Sequence, residues 1–258
     1  MNVDILTNGG VNVEGALEFL GDMETYNSTL QDFLDEIGEK INKIEEYKNN
    51  GDMPNYAINV HSLKSDSKYL GFTNLAELAL NHEMKSKEGD ANYVNENYDT
   101  LIAELNRILL LIKEYMGNGS VSSEEPKAVV DSENKILVAD DSNLVRNFVE
   151  KVVPTGYSVL AANDGEEAIN YITSEVNSIK GILLDLNMPK VDGFQVLEFL
   201  KDNNLFVNIP VIIITGDNTK DTVMKAFDYP IVDVLNKPFT EGDVTSVVTK
   251  MINYKSVN

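Results

Sequence analysis

Residues 181–189 read Gly-Ile-Leu-Leu-Asp-Leu-Asn-Met-Pro, an apolar run that stops on a carboxylate at Asp185 and breaks at Pro189. A short continuous apolar run bounded in this way predicts a strand covered on both faces. Similar runs occupy residues 135–139, 157–161, 211–214 and 231–235, with amphipathic stretches between and after them. Five βα units in succession predict an α/β domain with a doubly wound, five-stranded parallel sheet. Such sheets place their sites beyond the carboxyl ends of the strands.

The polar residues fall at those ends. Asp140 and Asp141 follow the first strand, Asp185 ends the third, Thr215 ends the fourth and Lys237 follows the fifth. Carboxylates brought together here repel, and a hard divalent cation with oxygen ligands would neutralise them. Lys237 adds a positive charge and Thr215 a hydroxyl. These are the parts that phosphoryl transfer to a carboxylate needs, with Asp185 as nucleophile and Mg2+, Lys237 and Thr215 holding the charge of the transferring group. A single aspartate at a strand end is ordinarily a helix cap. Caps alone do not account for the whole set arriving at matching strand ends.

Upstream, residues 117–126 read Gly-Asn-Gly-Ser-Val-Ser-Ser-Glu-Glu-Pro. No period runs through them, which predicts a linker over 117–133 between a first domain at 1–116 and a second at 134–258. Within the first domain Leu30, Leu34, Ile37, Ile41 and Ile44 form one helical stripe, and Leu101, Leu105, Ile108 and Ile112 another. Gly51-Asp52-Met53-Pro54 and Glu88-Gly89-Asp90 punctuate the helices. The pattern predicts an all-α antiparallel helical bundle with short turns, and a small extra helix near residues 13–20.

Between residues 56 and 70, Tyr56, Val60, Leu63, Ser67 and Leu70 form the core stripe. His61, Lys64, Ser65 and Lys68 fall on the adjacent stripe, expected to face away from the core. An exposed imidazole there could attack phosphorus, with Lys64 and Lys68 placing positive charge beside the new phosphate. An isolated histidine with two lysine neighbours is more often an ordinary surface residue, and the surrounding string decides against that. His82 shares a stripe with Leu75, Leu78 and Ala79 and is expected to pack at the bundle edge.

Two resemblances follow from these strings. Val-Ala-Asp140-Asp141-Ser, Leu-Leu-Asp185-Leu-Asn-Met-Pro189, Ile-Thr215-Gly and Asn-Lys237-Pro238-Phe resemble the receiver domain of two-component signalling over about residues 134–254. The spacings agree with chemotaxis-type receivers: 44 residues from Asp141 to Asp185, 30 to Thr215 and 22 to Lys237. The resemblance implies Mg2+ held by Asp141, Asp185 and the backbone carbonyl of Asn187, with Asp140 acting through water, and a cis Lys237-Pro238 bond. It also implies that Asn187 and Asp217 border the phosphate and influence how fast it is lost. Val234 stands where that family usually has Tyr or Phe, and Phe-Asp-Tyr-Pro-Ile replaces its usual Gly-Ala segment, two departures at the standard output face. The string His61-Ser-Leu-Lys64-Ser65-Asp-Ser67-Lys-Tyr-Leu70-Gly71 is similar to the histidine-phosphotransfer (HPt) motif, over roughly residues 8–116, with Ser65 where glycine is usual.

The bulk properties fit. The net charge is -21, with 9 basic and 21 acidic residues in 1–116 and 12 and 21 in 117–258. Surfaces of that sign repel nucleic acids and anionic membranes. There is no cysteine, hence no disulfide scaffold or thiol catalysis. The absence of a signal segment or membrane span predicts a cytoplasmic protein without membrane insertion. No glycine-rich ATP-binding segment is evident, so a partner, a sensor histidine kinase or another receiver or HPt protein, is expected to supply the phosphoryl group. The expected function is a phosphorelay between His61 and Asp185. The alternatives are a phosphorylation-controlled binding module that signals through Asp185 alone, and, last, a metal-dependent phosphatase.

Overall fold

The computed structural model describes residues 1–117, 134–216 and 219–254. The chain divides into two compact units, Met1–Glu125 and Pro126–Asn258. The expected linker beyond Gly117, and Asp217, lie outside the described residues.

The first unit is helical: α1 (Asp4–Asn8), α2 (Val13–Leu20), α3 (Met23–Asn50), α4 (Met53–Tyr69), α5 (Thr73–Lys87) and α6 (Ala91–Met116). Short polar residues start the long helices. Asp22, Asp52 and Asp90 accept from the backbone N–H of Thr25, Asn55 and Tyr93, and Pro54 sits in the first turn of α4. Gly51 closes α3 at φ 67°, a left-handed position that costs glycine nothing. Tyr26, Leu30, Tyr56, Val60, Leu63, Leu75, Leu101 and Leu105 are all fully buried and form the core. Gly71 locks α2 to the α4–α5 turn: its carbonyl accepts from Asn12 N–H at 2.9 Å. A Cβ at Gly71 would lie 2.2 Å from the Asn12 carbonyl oxygen, and the residue is at φ 76°. The spacing argument found α2 and missed α1, which is too short to carry a period.

The second unit alternates β1 (Lys135–Ala139), α7 (Asn143–Val152), β2 (Ser158–Ala162), α8 (Gly165–Ser174), β3 (Ile179–Asp185), α9 (Gly193–Asp202), β4 (Val211–Thr215), α10 (Lys220–Ala226), β5 (Asp233–Asn236) and α11 (Glu241–Ile252), with a short 3-10 turn at Leu205–Val207. The strands are parallel in the order β2-β1-β3-β4-β5. The order reverses between β1 and β3, the place where doubly wound sheets open a crevice. The β5 ladder starts at Asp233, later than the run at 231–235 suggested: Val232 donates once to the Val211 carbonyl at 2.7 Å and the ladder follows it. Val234 is half-buried in β5 and packs against the core as a small β-branched residue. Among the described residues no helix is long and apolar enough to cross a membrane.

Candidate functional site

Register assembles the acidic site. β1 and β3 pair with Ala139 opposite Leu184, so the next residues, Asp140 and Asp185, lie side by side. β4 pairs with β5 at Thr215 and Asn236, which brings Lys237 in beside them; its backbone N–H donates to the Thr215 carbonyl at 2.8 Å. The Lys237-Pro238 bond is cis, as the resemblance implied. Gly193 seats the loop that follows β3. Its N–H donates to the Leu186 carbonyl at 3.1 Å, and a Cβ there would meet the Asp185 carbonyl oxygen at 2.2 Å.

Asp140, Asp185 and Thr215 are fully buried, Lys237 nearly so, and Asp141 is partly exposed. Lys237 Nζ lies 2.5 Å from Asp185 Oδ2 and 2.6 Å from Asp140 Oδ2. Backbone N–H groups of Ser142 and Asn187 donate to Asp140 Oδ1 at 3.0 Å and Asp185 Oδ1 at 3.2 Å. Burial pushes the Asp140 carboxyl up to about 6 despite Lys237, and Asp185 beside it adds to the rise. Burial alone would discharge Lys237, but Asp140, Asp185 and Asp141 hold it protonated well above the usual amine range. One lysine thus faces a triad of carboxylates.

This donor set fits a divalent cation. One oxygen from each of Asp140, Asp141 and Asp185 lies within 4.8 Å of the others. Asp140 Oδ2 touches Lys237 but has no aligned hydrogen bond, so a lone pair remains for an ion. An all-oxygen, anionic set suits a hard ion such as Mg2+.

The histidine site differs from its sequence expectation. His61, Lys64 and Ser65 are not solvent-facing: in the whole chain they are 1%, 4% and 3% exposed, and of the expected outer stripe only Lys68 is open. Part of the reason is a carboxylate the periodicity did not announce. Glu83 of α5 accepts from His61 Nδ1 at 2.6 Å and from Lys64 Nζ at 2.6 Å, and its first oxygen also takes Lys87 Nζ at 2.7 Å. On the other side, Lys40 of α3 donates to Ser62 Oγ at 2.9 Å and pairs with Asp66. A polar stripe can therefore turn toward neighbouring helices instead of water. Glu83 shares the buried stripe Ala76, Ala79, Ser86 of α5, but a period on one helix does not name its partner on another.

An ionised carboxylate only accepts hydrogen bonds, so the proton between Glu83 and His61 belongs to Nδ1. Lys64 Nζ, 3.1 Å from the same nitrogen, is then a neighbour sharing the carboxylate and not a donor to the ring. The neutral tautomer so assigned carries its lone pair on Nε2. Burial pushes Glu83 up, but His61 and Lys64 outweigh it and hold the carboxyl well below the usual range. Lys64 is drawn below the usual amine range by burial, with Glu83 opposing. Three N–H donors converge on Glu83, from His61, Lys64 and Lys87. His82 is buried, as expected, with Nδ1 2.7 Å from the Tyr56 hydroxyl.

One unit thus holds a carboxylate-anchored histidine, and the other a carboxylate triad with a lysine at the edge of a parallel sheet. Residues 28–110 match the Hpt domain family and residues 136–249 the response regulator receiver domain family, so one chain carries both domains. The sensor histidine kinase CheAY of Helicobacter pylori is 28% identical over 158 residues, 59% of this chain and 20% of that protein. The probable transcriptional regulator ycf29 of Pyropia yezoensis is 34% identical over 118 residues, 45% of this chain and 52% of that one. The CAI-1 autoinducer sensor kinase/phosphatase CqsS of Vibrio cholerae is 33% identical over 108 residues, 41% of this chain and 16% of that one. The chain thus spans from 16% to 52% of the length of these relatives.

Proposed function

We propose that this chain relays phosphoryl groups between His61 and Asp185 in two-component signalling, and exchanges them with a sensor histidine kinase or with other receiver or HPt proteins. The observation that carries the reading is the convergence of Asp140, Asp141, Asp185, Thr215 and Lys237 at neighbouring strand ends, in the same chain as a histidine fixed by Glu83. The phosphoryl group comes from a partner, not from a kinase activity of this chain, and the setting is cytoplasmic.

Glu83 keeps the proton on Nδ1 and leaves Nε2 to bond phosphorus. As the N–P bond forms, the donor's bond to phosphorus breaks and the ring becomes cationic, with Glu83 as its counter-charge. In the onward step an Asp185 oxygen bonds phosphorus while the N–P bond breaks, and the ring returns to neutral with its Nδ1 proton retained. Lys237 and the Thr215 hydroxyl stabilise the charge on the transferring oxygens. Asp140, Asp141, Asp185 and the Asn187 carbonyl would hold Mg2+, which when bound neutralises the acceptor and the phosphoryl oxygens.

Val234, a small half-buried residue of β5 where receivers usually carry Tyr or Phe, favours a second reading, in which Asp185 alone signals as a phosphorylation-controlled binding module. One set of variants tests both. A labelled phosphodonor should leave acid-labile label that disappears in His61→Gln and base-labile label that disappears in Asp185→Asn. Retention of both labels in both variants would defeat the relay. Signalling left intact in cells by His61→Gln would favour the second reading.

A further inference from the structure

Only two described non-glycine residues have positive φ: Asn204, a residue type that tolerates it, and Lys190 at 61°. Lys190 lies in the loop between β3 and α9, three residues after Asn187. Its ammonium reaches Asp164 Oδ2 at 2.6 Å and Glu166 Oε2 at 3.8 Å. Asp164 is 2% exposed and also caps α8, accepting from Glu167 N–H at 2.8 Å. A backbone contact runs parallel to the ion pair: Gly165 N–H donates to the Val191 carbonyl at 3.1 Å. The loop is therefore pinned at Leu186 by Gly193, and at residues 190–191 by the start of α8. Asn187 lies between the pins.

The lysine side chain is 62% exposed. An ion pair with so wet a partner contributes little to stability, too little to explain a lysine in a left-handed backbone position. Its geometry does something else: it ties the loop that carries Asn187 to the start of α8.

Resting on the reading of the acidic triad as a Mg2+ site, we infer that Lys190 is a positioning residue for that ion, clamping the β3–α9 loop to Asp164 and so holding Asn187 in place beside Asp185. Lys190 touches neither the ion nor the phosphoryl group.

The test is calorimetric titration of the full chain with MgCl2. Lys190→Gly removes the ammonium and also eases the positive φ, so backbone mismatch cannot cause a loss. Asp164→Asn keeps a helix-capping side chain and drops the charge. Each should weaken Mg2+ binding by about tenfold, the lower end of what outer-shell partners of metal sites cost. The double variant should bind no worse than either single one, Lys190→Arg should recover most of the affinity, and melting temperatures in EDTA should barely move. Unchanged affinity in Lys190→Gly, or lower stability in EDTA without an affinity loss, overturns the inference and leaves the metal reading standing. Failure of the wild type itself to bind Mg2+, or wild-type affinity in Asp141→Asn, overturns the metal reading and the inference with it.

Discussion

His61 Nδ1 and Glu83 Oε1 lie 2.6 Å apart between buried side chains, and that contact fixes which imidazole nitrogen carries the proton. A hydrogen bond to a charged group contributes about 1.5–3 kcal/mol. Glu83→Gln should therefore slow loading of His61 by roughly tenfold or more, and nitrogen-resolved NMR should show the ring drifting from a single tautomer to a mixture. Glu83→Leu should do more damage, because it strands the buried Lys64 ammonium. Breaking a buried pair in this way costs about 3–5 kcal/mol, to be read by urea unfolding of the full chain.

Acid should erode the same contact. Glu83 has a folded pKa depressed below its ordinary 4.5, so its contribution is complete above that value and is lost as pH falls toward the folded pKa. The stability gap between wild type and Glu83→Gln should narrow as pH falls below about 4.5. A gap that stays constant down to pH 3 contradicts the assignment of an ionised Glu83.

Divalent cations should stabilise the receiver unit through the carboxylate triad. At a Mg2+ concentration a hundredfold above its Kd the gain should be roughly 2.7 kcal/mol. EDTA should remove it, and Asp141→Asn or Asp185→Asn should abolish it. Thermal melts with and without the ion give the answer.

Gly71→Ala should destabilise the helical unit by about 1–3 kcal/mol, as overpacking typically does. The added methyl meets the Asn12 carbonyl oxygen at 2.2 Å and forces a left-handed backbone on alanine. The unfolding midpoint should drop, while Mg2+ binding by the other unit is unchanged.

Much of this was readable in the sequence, and for a physical reason. A buried parallel strand is an uninterrupted apolar run, so the residues ending it announce themselves; Asp140, Asp185, Thr215 and Lys237 were placed by that rule alone. His82 followed its stripe into the core. Contacts between helices have no such mark. Glu83 is 22 residues from His61 on another helix, and Lys40 is 22 residues from Ser62. Nothing in a single-helix period pairs them, so the His61 stripe read as solvated. Lys190 was invisible for a related reason, since a positive φ on a lysine leaves no trace in composition.

Gly193 sets a boundary on how this protein can diverge. Any other residue there would drive its first side-chain carbon into Asp185's own carbonyl. The outward face of α9 is open to mutational drift, but its opening position is closed to every larger amino acid while Asp185 stays where it is.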